Sequence, residues 1–187
     1  MTEQELILGL VRGDEEAFRL LVDQYQAPVY NTILGLVQSE SDAEDLAQDV
    51  FIQIFRSISQ FKGESKLSTW IYRIATTKSL DFIRSKKAKK RFAFFYRLGT
   101  PGENEHLALP DFHHPGVVLE QKEKAAQLFR AIAQLPENQK TAFILTRLEQ
   151  LSHAAVGEIM GITVPAVESL LHRARVNLKK IIENIKK

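Results

Sequence analysis

Hydrophobic residues recur along most of this chain at intervals of three or four, which predicts amphipathic helices almost from end to end. The second predicted helix carries Leu21, Tyr25 and Val29 on one side, and Pro28 interrupts it where it can kink. Valine, isoleucine and threonine never alternate with polar residues for long enough to predict a strand. The pattern therefore predicts an all-α fold.

Capping signals locate the starts of the first three helices. Thr2 with Glu5 predicts a capping box, and Asp14 can cap the next helix. Ser41 with Glu44 predicts a second capping box, at the start of a helix with the sequence SDAEDLAQDVFIQIFRSI. The apolar face of this third helix carries Leu46, Val50, Ile54 and Ile58, and its other side carries Asp45, Gln48, Asp49 and Gln53, with Phe51 and Phe55 near the edges.

A short loop around Gly63 precedes a long fourth helix that begins near Leu67 and ends in a basic run. Its core candidates are Leu67, Ile71, Ile74, Ala75, Leu80 and Ile83. Four of the residues 92–96 that follow are aromatic. They would either dock the end of the helix on its own domain or form a hydrophobic surface for a partner.

Residues 151–180 predict two helices joined by a tight turn. Ser152 and Thr163 can cap the two helices, Gly161 can adopt the positive φ that ends the first, and Pro165 fits the first turn of the second. The second helix has an apolar face of Val167, Leu171, Ala174 and Leu178, opposite Ser169, His172, Arg173 and Arg175. A helix-turn-helix places such a helix in the DNA major groove. An ordinary helical hairpin with a basic exposed face is the alternative.

The segment 99–116 interrupts the helical pattern with three prolines and three glycines. It predicts a flexible linker, and about 18 extended residues reach on the order of 60 Å. The sequence therefore predicts two small helical domains, at residues 1–97 and 117–187, with the linker at 98–116.

Composition narrows the class of protein. The chain has 187 residues, 44% of them hydrophobic, and no cysteine, which excludes disulfides and thiolate chemistry. No apolar run approaches the ~20 residues of a membrane span, and the acidic N-terminus is unlike a signal peptide, so a cytoplasmic location is expected. The net charge of +2 hides two basic regions, at 78–97 and from 173 onward, separated by an acidic stretch.

Groups that could carry out catalysis are scarce. His113 and His114 are adjacent and lack the spacing of a helical zinc site. Asp45 and Asp49 lie one helical turn apart and could share a metal ion, but no third ligand is evident, so a solvated or partner-facing surface is favoured. We predict no catalytic residue, no metal site and no cofactor.

Aromatic and cationic residues alternate at the start of the fourth helix. Trp70 and Tyr72 lie close to Lys66, Arg73 and Lys78. Aromatic rings stack on unpaired bases while cations hold phosphates, so this combination suits single-stranded or opening DNA. The alternative is that Trp70 belongs to the core with its apolar neighbours.

Several motifs in order resemble the extracytoplasmic-function group of the sigma-70 family of bacterial RNA polymerase sigma factors. They are AEDLAQDVFIQIF, FKGESKLSTWIYRIATTKSLDFIR, LPENQKTAFILTRLEQLS and GITVPAVESLLHRAR. The resemblance covers nearly everything except the linker. It implies a region 2 domain followed by a region 4 domain, and a promoter-specificity subunit rather than an enzyme.

The resemblance also implies a role for each surface. The segment that docks on the β′ clamp helices of core RNA polymerase would include Asp45, Leu46, Gln48, Asp49 and Phe51. The −10 element would meet Ser65, Lys66, Ser68, Trp70, Tyr72, Arg73, Thr76, Thr77 and Lys78. The −35 element would meet Pro165, Ala166, Glu168, Ser169, His172, Arg173 and Arg175. Residues 136–151 would meet the polymerase β flap, and an anti-sigma factor, often membrane-bound in this group, would be a further partner.

Three positions depart from the family pattern. Thr77 stands where many relatives have Asn, and Glu168 and Leu170 stand where many carry Lys and Arg. A glutamate cannot hold a phosphate but can accept a hydrogen bond from a cytosine amino group. We therefore expect Glu168 to influence the choice of −35 bases, and Arg173 and His172 to contribute much of the affinity for DNA.

Two other functions remain compatible with these patterns. One is a stand-alone helix-turn-helix regulator that binds a duplex operator without polymerase, often as a dimer. The other is a nucleic-acid enzyme that uses Asp45 and Asp49 with magnesium.

Overall fold

The computed structural model describes residues 2–96, without the side chains of 92–96, and residues 127–185. The predicted linker at 98–116 and the His113–His114 pair lie outside the described residues, as do the aromatic side chains of 92–96. Every regular element within the described ranges is helical. The expected all-α fold is therefore confirmed.

The first half of the chain contains four α-helices. They are α1 (Glu3–Val11), α2 (Glu15–Val37), α3 (Glu40–Ser57) and α4 (Leu67–Tyr96), with a 3₁₀ turn at Ile58–Gln60 after α3. The helix α2 runs through Pro28 and ends at Gln38, whose φ of 59° is left-handed. Pro28 therefore lies inside a single helix.

The predicted caps are right at two of the three helix starts. Thr2 and Glu5 form the reciprocal capping box of α1, and Asp14 accepts a hydrogen bond from the Glu16 amide at the start of α2. The predicted Ser41–Glu44 box is wrong. The connection after α2 is so short that Ser39 is the N-cap of α3, where its side chain accepts from the Asp42 amide at 3.4 Å.

The core of the first half forms where the apolar faces of α1 to α4 meet. The predicted face of α3 is buried throughout, with Leu46, Val50, Ile54 and Ile58 each at most 8% exposed. Opposite them in the same cluster lie Leu21, Val29, Ile33, Leu67, Ile71 and Ala75. Helical periodicity alone therefore identified the inward faces of α3 and of the first turns of α4.

The second half is also helical. Helix α5 is described over residues 127–133, and it is followed by α6 (Glu137–Phe143), a π-helical segment (Ile144–Leu148), α7 (His153–Met160) and α8 (Val164–Ile185). Pro136 precedes α6, as expected for a helix that starts there. No single helix in the described ranges has the length and hydropathy to cross a bilayer. Taken together, α7 and α8 have sufficient length and apolar composition, but the pair is bent by 99°.

The two halves pack against each other. Leu36 of α2 belongs to a buried cluster with Ile132 and Ile144, and Tyr72 of α4 belongs to another with Leu145 and Val156. The sequence predicts two domains on a flexible tether, and nothing in its periodicity indicated that they would share buried residues. A periodic apolar face predicts burial but does not specify the surface that covers it.

Candidate nucleic-acid interface

The helix-turn-helix has the local geometry that its sequence predicts. The side chain of Ser152 accepts a hydrogen bond from the Ala155 amide at 3.2 Å, and Gly161 ends α7 with a φ of 66°. A Cβ atom on Gly157 would lie 2.8 Å from the carbonyl oxygen of Ile162. Glycine at 157 therefore lets the turn fold back closely on α7.

The helix α8 separates a buried face from an exposed one. The predicted apolar residues are buried, namely Val167, Leu171, Ala174 and Leu178. The predicted −35 residues lie on the exposed side, namely Pro165, Glu168, Ser169, His172, Arg173 and Arg175, while Ala166 is half-buried. A helix supported on one side and free on the other can enter a major groove without unfolding.

Two pairs of residues make polar contacts on this exposed face. The guanidinium of Arg173 donates to the Ser169 carbonyl oxygen at 3.3 Å and to its hydroxyl at 3.2 Å. A carboxylate oxygen of Glu168 lies 3.6 Å from Nδ1 of His153, on α7. His153 was not predicted as part of this surface. The signal in the sequence was its position directly after the Ser152 cap, which places it in the first turn of α7.

A second exposed surface surrounds the loop between the 3₁₀ turn and α4. Gly63 turns this loop with a φ of 72°. The ring of Trp70 packs against Phe61 with centroids 5.4 Å apart. Among the predicted −10 residues Lys66, Arg73 and Thr77 are exposed, and Ser65, Ser68, Trp70 and Lys78 are half-buried. Trp70 is half-buried against the core cluster of the first half and also lines a cavity. Its contact with DNA stays a prediction.

Tyr72 and Thr76 do not lie on this surface. They are only 6% and 4% exposed, and they lie one helical turn apart on the side of α4 that faces inward. The hydroxyl of Tyr72 donates a hydrogen bond to Glu149 at 3.0 Å. In this arrangement neither side chain is exposed to DNA, and Tyr72 packs with Leu145 and Val156 of the second half. Their contact with the −10 element stays a prediction.

Arg73 connects the predicted −10 surface to the helix-turn-helix. Its guanidinium donates to the main-chain carbonyl oxygen of Glu158, on α7, at 2.7 Å. Trp70, Arg73 and Glu158 line one cavity of about 410 Å³. The residues at the start of α4 and the first helix of the helix-turn-helix are therefore in contact in this structure.

The predicted polymerase-binding residues divide into two groups. Asp45, Gln48 and Asp49 are exposed on α3, while Leu46 and Phe51 are 8% and 9% exposed. Phe51 also lines an apolar groove of about 700 Å³ between α2 and α3. Residues that this prediction missed line the same groove, including Phe18, Val22, Tyr30 and Ile52. The apolar side of α2 was the signal in the sequence for Phe18, Val22 and Tyr30, while Ile52 lies on α3.

Within the described ranges no group of three or more His, Asp or Glu side chains could hold a metal ion. The surfaces instead combine a helix-turn-helix, an aromatic and cationic loop, and an acidic helix beside an apolar groove. This combination defines the protein as a helical, two-part DNA-binding protein with a separate surface for a protein partner.

Comparisons with known proteins agree with this class. The family described as Sigma-70 region 2 matches residues 21–89, and the family described as Sigma-70, region 4 matches residues 125–178. The ECF RNA polymerase sigma-E factor of Haemophilus influenzae is 35% identical, over 98% of this chain and 95% of its own length. The ECF RNA polymerase sigma factor SigW of Bacillus subtilis is 31% identical, over 99% of both chains.

Solved structures show the same fold. The structure of CnrH in complex with the cytosolic domain of CnrY superposes with a TM-score of 0.70 at 19% identity, over 97% of each chain. The structure of RpoE in complex with the anti-sigma factor NepR from Bartonella quintana also has a TM-score of 0.70 at 19% identity, over 89% of this chain and 96% of that one.

The chain belongs to the sigma-70 family, in its extracytoplasmic-function group. It is a sigma factor that binds core RNA polymerase and directs promoter-specific initiation of transcription. Sigma factors as a family are transcription initiation factors.

Proposed function

We propose that the three surfaces described above divide the work of promoter recognition. The exposed face of α8 reads the −35 duplex, and the loop at 61–66 with the start of α4 holds the opened −10 strand. The acidic face of α3 and the neighbouring apolar groove contact the β′ clamp helices, and residues 136–151 contact the β flap. The chain has no catalytic activity of its own, and it acts in the cytoplasm.

The observation that carries the −35 assignment is the separation of faces on α8. Val167, Leu171 and Ala174 fix the helix to its own domain, so the exposed side chains keep a constant register. Arg173 is held in place by two hydrogen bonds to Ser169. A preoriented guanidinium loses less conformational freedom when it contacts a base or a phosphate.

The −10 assignment now rests on fewer residues than the sequence suggested. Lys66, Arg73 and Thr77 are exposed, and Trp70 is half-buried and lines a cavity with Arg73, so these four support contacts with phosphates and an unstacked base. Tyr72 and Thr76 can join them only if the two halves separate. Arg73 must also release the Glu158 carbonyl oxygen before its guanidinium is free for DNA. We therefore propose that the two halves move apart on the promoter.

The polymerase-binding assignment rests on charge beside an apolar groove. Asp45 and Asp49 are exposed next to the groove that Phe51 and Ile52 line. A partner helix with basic residues flanking an apolar stripe fits such a surface, because charge steers the encounter and the groove buries apolar area. Leu46 acts from the core beneath and supports the helix.

An anti-sigma factor is the second proposed protein partner. The two solved structures of similar fold are complexes, with the cytosolic domain of CnrY and with NepR. We propose that a partner of that kind, free or attached to a membrane, occupies the surfaces of this chain that polymerase needs.

Gel shifts on promoter DNA with and without core polymerase test the central proposal. The chain with polymerase should bind a duplex that contains both elements, and the chain alone should bind it at least about a hundredfold more weakly. Arg173→Ala should reduce promoter binding about 10- to 100-fold, which corresponds to ~1–3 kcal/mol. Lys180→Ala, a change outside the proposed surface on the same helix, is the control. Tight binding without polymerase would favour the stand-alone regulator instead.

A further inference from the structure

A cavity of about 340 Å³ lies between the two halves, apart from the two proposed DNA-binding surfaces. One wall comes from α4 and the end of α2, and the other from residues 133–140. Its volume is at the lower end of the range for small-molecule sites. Glu137 and Lys140 belong to the segment 136–151 that is assigned to the β flap, and none of the residues assigned to the −10 element, the −35 element or the clamp helices lines this cavity.

Four lysines line the cavity. Lys86, Lys87 and Lys90 lie on one side of α4, and Lys140 approaches from α6. Lys86 is neutralised by Asp42, whose carboxylate oxygen lies 2.8 Å from its ammonium nitrogen. In the part of the chain that the structure describes, Lys87, Lys90 and Lys140 form no ion pair. The cavity therefore has an excess of positive charge.

Lys140 is the most constrained of the four because it is half-buried. Burial lowers the pKa of Lys140, and the nearby charge of Lys87 lowers it further, while Glu137 acts in the opposite direction. The Glu137 carboxylate is itself bound by Arg84 at 3.2 Å. It is therefore only partly available to neutralise Lys140, and an anion placed between Lys87 and Lys140 would relieve their repulsion.

The rest of the cavity wall is largely apolar. Leu36 and Leu135 are buried beneath it, and Phe82 and Ile83 are half-buried along α4. A bare inorganic anion would contact the lysines and leave these side chains uncovered. An anion that also carries an aromatic or apolar group would use both parts of the cavity.

We propose that this cavity binds a small molecule with two or more phosphate groups on an aromatic or apolar body, of which a nucleoside diphosphate is the simplest example. Lys87, Lys90 and Lys140 hold the phosphates as point charges. The body packs on Ile83 and Leu135. Because the two walls come from different halves of the chain, the bound molecule stabilises the packed arrangement by mass action and opposes its separation on a promoter.

Isothermal titration calorimetry of the full chain at fixed salt tests this site. The probes are ADP, inorganic pyrophosphate and adenosine. ADP should bind with one site per chain, pyrophosphate more weakly, and adenosine should give no measurable heat. The absence of binding by both ADP and pyrophosphate overturns the proposal.

Three variants that each remove one positive charge locate the site. Lys140→Gln and Lys87→Gln should each weaken ADP binding about tenfold or more, since each removes a hydrogen bond to a charged group. Lys89→Gln is the matched control, because Lys89 belongs to the same lysine run and is exposed away from the cavity. Equal losses in all three variants would show diffuse attraction and overturn the proposal. Lys87 is exposed, so its variant remains informative if Lys140→Gln lowers the melting temperature.

Phosphate groups could also come from DNA. A competition experiment with a short duplex of unrelated sequence separates the two sources. If the small molecule is the ligand, ADP binding depends on Lys140 and the duplex does not displace it at equal concentration. If the duplex alone binds, and does so through Lys87 and Lys140, the cavity is a contact for the DNA backbone and the proposal is wrong.

Discussion

The hydroxyl of Tyr72 donates a 3.0 Å hydrogen bond to a carboxylate oxygen of Glu149, and this contact joins α4 to the segment that follows the π-helix. Both groups are in a partly desolvated environment. Burial raises the pKa of Tyr72 well above its usual range, and the Glu149 charge raises it further. Burial also raises the pKa of Glu149, against the effect of the Tyr72 hydrogen bond.

Removing the hydroxyl should weaken the packing between the halves. Tyr72→Phe leaves the half-buried Glu149 carboxylate without this donor, so we expect the free energy of unfolding to fall by ~1–2 kcal/mol at pH 7. Urea denaturation followed by circular dichroism measures the change. Tyr30→Phe is the control, because no hydrogen bond of the Tyr30 hydroxyl is recorded in the described ranges, and it should cost under about 0.5 kcal/mol. Equal losses would contradict a specific role for the Tyr72 hydroxyl.

The raised pKa of Glu149 predicts a pH dependence of stability. A carboxyl group whose pKa is higher in the folded state binds more protons when folded, so its contribution is most favourable below the unfolded value of 4.5. That contribution is lost as the pH rises from 4.5 through the raised folded pKa. Glu149→Gln stays neutral and keeps an acceptor for Tyr72, so the variant should gain stability relative to the wild type as the pH rises through this window.

Melting temperatures of the two proteins between pH 4 and pH 7.5 check this expectation. Glu137→Gln serves as a comparison, because it makes the same chemical change at a carboxylate that is bound by Arg84 and not by Tyr72. A constant difference between Glu149→Gln and the wild type over the whole range would show that Glu149 does not titrate there.

The close approach at Gly157 predicts a large effect from a small substitution. Gly157→Ala would place a Cβ atom 2.8 Å from the Ile162 carbonyl oxygen, so the turn must shift. We expect a loss of ~1–3 kcal/mol in the free energy of unfolding. Glu158→Ala on the same helix should be nearly neutral, because its side chain is exposed. If Gly157→Ala is as stable as the wild type, the turn is looser than this geometry requires.

The position of Glu168 on the exposed face of α8 predicts a change of base preference. Glu168→Lys replaces an acceptor for a cytosine amino group by a phosphate-binding cation, and it also removes the Glu168 contact with His153. Transcription from a promoter library with randomised −35 bases should give a different preferred sequence for the variant holoenzyme. His153→Ala separates the two effects, since it removes the contact and keeps the carboxylate. An unchanged preference for Glu168→Lys would show that Glu168 does not read bases.

The sequence predicted the local elements well where one signal was strong. The apolar positions of α8 from Val167 to Leu178 and the positive φ at Gly161 follow from spacing and from glycine's conformational freedom. The start of α3 was misplaced by two residues because Ser39 and Ser41 are both good N-caps, and only the path of the preceding chain decides between them.

The candidate site was harder to predict because it depends on how the halves meet. Tyr72 and Thr76 have side chains that suit a DNA surface, and neither belongs to the apolar core cluster of the first half. Both are buried, and Tyr72 is packed in a cluster with residues of the second half. Contacts between distant segments of a chain leave no periodic signal in either segment, so neither the Tyr72–Glu149 bond nor the lysine-lined cavity could be derived from spacing.

The position of Trp70 has a practical consequence. The chain contains one tryptophan, so its indole emission comes from a single place, the cavity that Trp70 shares with Arg73 of α4 and Glu158 of α7. Withdrawal of α7 would change the polarity around that ring and expose it to soluble quenchers. The unlabelled protein thus carries its own optical reporter, and stopped-flow fluorescence could time the opening of the molecule during assembly with polymerase.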